Sequence, residues 1–329
     1  MLIMSLTDKL SSFKDRLKDI KIIVLGDPVI DRFSVVEPEG ISREAPIPAM
    51  NIKKEYFRLG ASYNAVKTLL DLSVKPVYIT AVGSDPEGQH FIDQVKKELS
   101  DAEIAVDEKK MTDSVYRVYS NGYLLLWAEK SNRKNLSKET ESSLIKRFMR
   151  RVDEADAVIV SDHARGIMSK RIKDAVVLAA KEKKIPLVIN GRPENAHLYA
   201  GADYLRMNKD DAQKLTGISP MNSTSYRNMA LKLSSLSRTE NVLITWLEEG
   251  FYGLRGETFF KVEPVSFRPA NVRGIGDVIV SAFAVFLVLG FSFEEAAKLS
   301  YYTSVITAEG NKSEIFEKLM QYVLEKERK

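Results

Sequence analysis

The sequence predicts an α/β protein: a largely parallel sheet covered by helices on both faces, with a small β-lid beside it. Three observations predict this. Short apolar, β-rich runs alternate with amphipathic helical patterns over most of the 329 residues. Two stretches break the rhythm with proline-rich or alternating strand patterns. The composition, 44% hydrophobic, 29% charged and 9% aromatic, is that of an ordinary globular chain.

Taken in order, Leu10, Phe13, Leu17 and Ile20 recur at helical spacing and predict an amphipathic helix docked on the body. Residues 20–25 form the first apolar strand-like run. Residues 33–57 hold Pro38, Pro46 and Pro48 and no helical pattern, and residues 112–127 alternate around Asn121-Gly122, a strong hairpin signal. These two stretches are read as the lid. Residues 77–82, 157–160, 186–189, 204–207 and 241–245 read as further strands. Helical patterns over 64–72, 89–99, 169–184 and 210–216 separate them. The most apolar run, 278–290, is shorter than the ~20 residues a membrane span needs and reads as a buried helix. With no internal repeat or low-complexity linker, residues 1–329 are expected to form a single domain.

Several functions are excluded or made remote. Lys plus Arg is 49 and Asp plus Glu is 45, a net charge of +4 spread along the chain, which is not a nucleic-acid footprint. Cysteine is absent, which excludes disulfides, thiolate metal sites and a thiol nucleophile. No signal-peptide core stands near the start, so a cytoplasmic protein without membrane partners is expected. GxxxxGK[ST], HExxH and GxSxG are missing. His90, His163 and His197 lack metal-ligand spacing and read as solvated or core histidines.

Three local signals remain. Gly274-Ile275-Gly276-Asp277 precedes the apolar helix. Glycines there let backbone amides converge on an anion at the positive end of a helix dipole, and an Asp at that turn can take a proton from a hydroxyl. A plain tight helix entry is the alternative. Gly26-Asp27 and Asp31 follow the first strand, where ligands bind in open α/β sheets, although Asp is also a common turn former. Asn208-Lys209-Asp210-Asp211 follows 204–207 and suits either a helix N-cap or the organisation of Mg²⁺-bound water.

In this order the features resemble the ribokinase-like (phosphofructokinase-B) carbohydrate kinase family, from about residue 21 to 310. Leu59-Gly60-Ala61-Ser62-Tyr63-Asn64 resembles its GGxxxN sugar loop, and Val82-Gly83-Ser84-Asp85-Pro86-Glu87-Gly88 its VGxDxxG. Asn208…Asp211 resembles its NxxE and Gly274…Asp277 its GxGD. Asp31-Arg32-Phe33, residues 41–48 and Ser161-Asp162-His163-Ala164-Arg165-Gly166 look most like the kinase half of bacterial heptose-phosphate kinase/adenylyltransferases. No HxGH nucleotidyltransferase signature occurs, so the kinase half alone is expected.

The resemblance implies a three-layer αβα fold and ATP-dependent phosphorylation of a sugar or sugar phosphate. Asp277 would be the general base, with the amides of Gly274, Ile275 and Gly276 as anion hole. Asp27, Asp31, Gly60, Asn64, Arg43 and Arg165 would hold the substrate. Asn208, Asp211, Thr245, Gly250, Arg273 and Tyr301 would serve the nucleotide, with Asp211 reaching Mg²⁺ through water. A homodimer through the lid is also implied.

The sequence departs from the family at Leu59, at Ile275 for the usual Ala, at Asn271 and Arg273 for Asp and Thr, and at Asn190-Gly191-Arg192-Pro193 for an Asp-Pro segment. Trp246 and Leu247 replace smaller or polar residues, and Tyr301 stands about where Asn is common. A non-catalytic homologue that binds a sugar phosphate or nucleotide is therefore the alternative reading, and a different phosphoryl donor is a third.

Overall fold

The computed structural model describes residues 5–270, 272–311 and 314–328. Asn271, one of the departures above, lies outside them. The strands are β1 (Lys21–Gly26), β2 (Pro28–Ile41), β3 (Pro48–Ala61), β4 (Lys75–Gly83), β5 (Ala102–Asp107), β6 (Ser114–Ser120) and β7 (Tyr123–Lys130). They continue with β8 (Ala157–Ser161), β9 (Leu187–Asn190), β10 (Tyr204–Asn208), β11 (Asn241–Trp246), β12 (Gly250–Arg255) and β13 (Thr258–Val262). The helices are α1 (Leu6–Phe13), α2 (Ser62–Asp71), α3 (Pro86–Glu98), α4 (Lys138–Arg151) and α5 (Lys170–Lys183). After them come α6 (Lys209–Thr216), α7 (Ser223–Ser237), α8 (Ile275–Val288), α9 (Phe293–Ala308) and α10 (Ile315–Glu327).

The large sheet has nine strands in the order β13-β12-β11-β10-β9-β8-β1-β4-β5. From β11 to β5 the neighbours are parallel, and β12 and β13 add an antiparallel edge. The central strands are buried on both faces, which is why they read as continuous apolar runs. One core packs Ile22, Val24 and Tyr78 against α2, α8 and α9. The other packs Ile23, Val77 and Val158 against α4, α5 and α7. The result is the expected three-layer α/β fold. Among the described residues no helix is long and apolar enough to cross a membrane.

The structure refines two expectations. The N-terminal amphipathic segment is not one helix: α1 ends at Phe13 and Lys14–Asp19 continue as a 3₁₀ turn, while Leu10, Leu17 and Ile20 are still buried. The lid strands reach beyond 33–57 and 112–127: β2 starts at Pro28, straight after β1. The lid sheet has the order β3-β2-β6-β7 and is mixed, because β2 and β6 run parallel. Asn121 and Gly122 take φ of 49° and 81° between β6 and β7, the left-handed pair that a tight hairpin turn requires.

The chain leaves β1 toward β4 and β5 and returns with β8 on the other side of β1, so the strand order reverses there. Crevices at the carboxyl ends of strands beside such a reversal are where open α/β sheets bind ligands. The VGxDxxG segment ties this region together. Asp85 caps α3 by accepting from Gly88 N at 2.7 Å and also accepts from Thr112 N at 2.8 Å. Glu87 is buried and pairs with Arg32 of β2 and Lys130 of β7, joining α3 to the lid. A Cβ on Gly88 would lie 2.1 Å from the carbonyl oxygen of Gly83, a backbone atom that cannot step aside. Gly88→Ala is therefore expected to lower unfolding stability by about 2 kcal/mol or more, read as a shift of the urea midpoint. An unchanged midpoint would show that the α3 entry relaxes freely.

Candidate functional site

A cavity of about 680 Å³ opens where the carboxyl ends of β8, β9 and β10 meet the N-terminus of α8 and the underside of the lid. Gly274 enters α8 with φ of 72°, and a Cβ on it would strike Asn64 at 2.8 Å, so this turn needs glycine twice over. The turn sets Asp277 in the first helical turn, where the helix dipole favours a negative charge.

Asp277 is buried at the cavity floor. Its Oδ1 accepts from Ser161 Oγ at 2.6 Å and Asn190 Nδ2 at 2.9 Å, and His163 Nε2 lies 3.5 Å from the same oxygen. All these contacts fall on Oδ1 and leave Oδ2 clear of them. Burial alone would push the carboxyl up. The imidazole of His163 and the hydrogen bonds from His163, Ser161 and Asn190 outweigh it and hold the group below the ordinary Asp value. Asp277 is thus ionised at neutral pH, the form a base needs.

The rest of the wall is cationic. Arg58, Lys67, Arg117, Arg165, Arg192, Arg206 and Arg273 line the cavity against the carboxylates of Asp31 and Asp277. Some of this charge is answered locally. Asp31 pairs with Arg117 at 2.5 Å, Arg165 pairs with Glu129, and Arg192 pairs with Asp211 at 2.7 Å. Arg273 lies over the rings of Phe33 and Tyr119, 5.2 and 5.6 Å from their centroids, linking the α8 turn to the lid. A smaller cleft of about 190 Å³ adjoins the cavity, lined by Thr245, Trp246, Leu247, Glu248 and Ile279. Arg206, Asn208, Val272 and Ile275 line both spaces.

Of the residues expected from sequence, the structure brings Asp31, Asn64, Arg165, Asn208, Arg273, Gly274, Ile275, Gly276 and Asp277 to the cavity and Thr245 to the cleft. Others are placed elsewhere. Asp27 is fully buried, and its carboxylate accepts from the backbone amides of His163, Arg165 and Ile167 at 2.8, 3.2 and 3.0 Å; it fastens a loop instead of facing a ligand. Gly60 makes room for Asp31, whose Oδ2 would lie 2.6 Å from a Cβ there. Arg43 is exposed at the tip of the β2–β3 hairpin. Gly250 opens β12 at φ of 89°, where a Cβ would meet Val262 O at 2.1 Å. Tyr301 is buried in the core, donates to Leu247 O and accepts from Val265 N, so it supports the cleft wall from behind.

Asp211 does not reach the cavity. Its Oδ2 accepts from Arg192 at 2.7 Å and from Asn208 at 2.7 Å, and Asn208 caps α6. This bears on Mg²⁺, which takes oxygen ligands in near-octahedral geometry, commonly one or two protein carboxylates beside substrate phosphates. Asn190 is an amide, Asp211 is held by an arginine, and among the described residues no three of His, Asp and Glu converge. The residues present do not fit a protein-held Mg²⁺.

Ser161, His163, Asn190, Arg192 and Arg206 were not among the expected site residues: the first four stood inside the segments 161–166 and 190–193, and Arg206 was not named. His163 was read as solvated or core but touches Asp277. The available signal for Arg206 was a charge inside the strand run Tyr-Leu-Arg-Met-Asn.

Comparisons with known proteins agree with the fold. The family described as pfkB family carbohydrate kinase matches residues 20–315. The bifunctional protein HldE of Syntrophotalea carbinolica is 25% identical over 96% of this chain and 66% of that protein. Its counterpart from Paramagnetospirillum magneticum is 26% identical over 87% and 59%. The chain thus spans about six-tenths of the length of these relatives. Among solved structures, phosphofructokinase-2 from Escherichia coli in complex with fructose-6-phosphate superposes with a TM-score of 0.73 at 15% identity, covering 93% of this chain and 99% of that one. Ribokinase from Arabidopsis thaliana, complexed with ribose and ATP, gives 0.69 at 15% identity, covering 93% and 98%.

The placement of Asp27 is testable. Asp27→Ala leaves three buried or half-buried amides without that acceptor and is expected to cost about 3–5 kcal/mol in urea unfolding. A stable variant with only weakened substrate binding would instead return Asp27 to the substrate site.

Proposed function

The chain belongs to the pfkB family of carbohydrate kinases, and from that premise we propose that it transfers the terminal phosphoryl group of ATP to a hydroxyl of a sugar phosphate. One observation carries this reading. The ionised Asp277, with Oδ2 open, sits at the N-terminus of α8 in a cavity whose wall is dominated by guanidinium groups.

The chemistry follows from that placement. Oδ2 of Asp277 takes the proton of the acceptor hydroxyl, and the oxygen attacks the terminal phosphorus roughly in line while ADP leaves. The amides of the first turn of α8, at Ile275 and Gly276, face the charge that builds on the transferred group. Asp31 and Asn64 line the cavity and suit sugar hydroxyls, and Arg58, Lys67 and Arg165 suit an acceptor that carries its own phosphate. The cleft lined by Thr245, Trp246 and Leu247 suits the nucleotide base. The lid roofs the cavity with Phe33, Val115 and Trp127 and so limits water as a competing acceptor.

The pairing of Asp211 with Arg192, and the lack among the described residues of a gathered set of metal ligands, favour as the second possibility a protein that binds the same ligands without turnover. The lid also suits a homodimer. Its edge strand β7 exposes Tyr123, Leu124, Leu125, Leu126 and Trp127 in succession, an apolar edge that isolated proteins rarely leave bare.

The deciding experiment is ADP release from ATP across a panel of sugars and sugar phosphates, beside Asp277→Asn. Acceptor-dependent turnover that falls by ~100-fold or more in the variant supports the base. A folded protein that binds a sugar phosphate or nucleotide and turns over no acceptor establishes the non-catalytic reading. For the lid, light scattering should show a dimer that Leu126→Glu converts to monomer, and a monomeric wild-type chain at micromolar concentration would remove the dimer.

A further inference from the structure

Arg206 is a buried cation without a carboxylate partner. Its side chain rises from β10 into the junction of the two cavities, and the residue is only 7% exposed. Nη1 donates to Asn190 Oδ1 at 2.9 Å, and Nε has no hydrogen-bond partner. Among the described residues it makes no ion pair. Burial, and after it the neighbouring Arg192, draw its pKa down to about 10, so it still carries its charge at neutral pH. A buried charge without a counter-charge is unfavourable unless an anion joins it.

The surroundings say which anion. The guanidinium lies against the first turn of α8: a Cβ on Gly276 would come within 2.6 Å of Nη1, 3.2 Å of Cζ and 3.4 Å of Nη2. Glycine at 276 is what lets the cation approach the helix N-terminus, where like partial charges face one another. Two positive groups pressed together make a receptor for an anion that touches both. A tetrahedral anion can accept from the planar fork and from the helix amides at once, which a single planar carboxylate does poorly.

We propose that Arg206, with Arg192 and the first-turn amides of α8, forms a phosphate site at the junction of the two cavities, and that the guanidinium supplies there the neutralising charge of a metal for which no set of ligands gathers among the described residues. The inference goes beyond the proposed reaction, because it concerns binding and stands whether or not turnover follows.

The test is calorimetric titration of the full chain with inorganic phosphate, ADP and glucose 6-phosphate, each in excess EDTA and again with Mg²⁺. At least one probe should bind in EDTA, with Mg²⁺ changing its affinity by less than about 3-fold. Arg206→Gln should weaken that binding by at least ~10-fold, the scale of one charge-assisted hydrogen bond, while the melting temperature of the ligand-free protein stays level or rises. Arg206→Lys keeps the charge and loses the fork, and the same weakening is expected from it should the Gln variant not fold.

Capture of inorganic phosphate alone, of ADP alone or of glucose 6-phosphate alone would each support the site and name the source of its phosphate. Binding seen only with Mg²⁺, undiminished binding in both variants, or no binding of any probe would overturn it. EDTA binding without turnover would sink the kinase reading and leave this site standing. Turnover with strictly Mg²⁺-dependent binding would do the reverse.

Discussion

The carboxylate of Asp27 accepts from the backbone amides of His163, Arg165 and Ile167, and the wall of the cavity on the β8 side is positioned by it. A loop after a parallel strand has no ladder to fix it, so its amides need another acceptor. Asp27 supplies one from the end of the neighbouring strand. The fixed loop then carries His163 to Asp277 and Arg165 into the cavity. Asp162, inside the same loop, is pushed up to about 6 by burial and by the charge of Asp27. Acceptance from Ala164 N, Asn195 and Tyr199 works against that push.

Charge in this chain is dilute along the sequence and concentrated in space. A net charge of +4 says little, yet the cavity gathers Arg58, Lys67, Arg117, Arg165, Arg192, Arg206 and Arg273 around two carboxylates. They come from β3, α2, β6, the loops after β8 and β9, β10 and the turn before α8. Their partners differ in consequence. Arg117 and Arg192 each pair with a carboxylate, and Arg273 couples the turn to the lid through Phe33 and Tyr119. Among the described residues Arg206 has only an amide for a hydrogen-bond partner, which leaves its buried charge to a ligand.

What was legible in the sequence was whatever is written locally. Apolar runs buried on both faces announced β1, β4 and β8, Asn121-Gly122 announced the β6–β7 turn, and Gly274 to Asp277 announced the entry to α8. Contacts between strand ends are not local. Asp27 and His163 are 136 positions apart, and Asn190 and Asp277 are 87 apart. Spacing therefore could not tell that Asp27 fastens a loop, that Gly60 yields to Asp31, or that Tyr301 backs the cleft wall. Where residue type and place were both constrained, as with a charge inside the short β10 run, a signal was present: a buried strand accepts arginine only where something needs its charge.

Asn190 shows how the site holds opposite charges together without a second carboxylate. Its amide nitrogen donates to Asp277 Oδ1 at 2.9 Å while its amide oxygen accepts from Arg206 at 2.9 Å. Only a side chain with both a donor and an acceptor can stand between a carboxylate and a guanidinium in this way. A carboxylate at 190 would face Asp277 across the same distance, and like charges that close cannot both ionise comfortably. It would also pair with Arg206 and remove the charge that the junction otherwise presents. The amide keeps Asp277 ionised and Arg206 unneutralised at once, so the carboxylate and the cation persist side by side, bridged but not cancelled. Asn190 and Arg192, two residues apart at the end of β9, thus set an amide between the two charges and a second guanidinium beside Arg206.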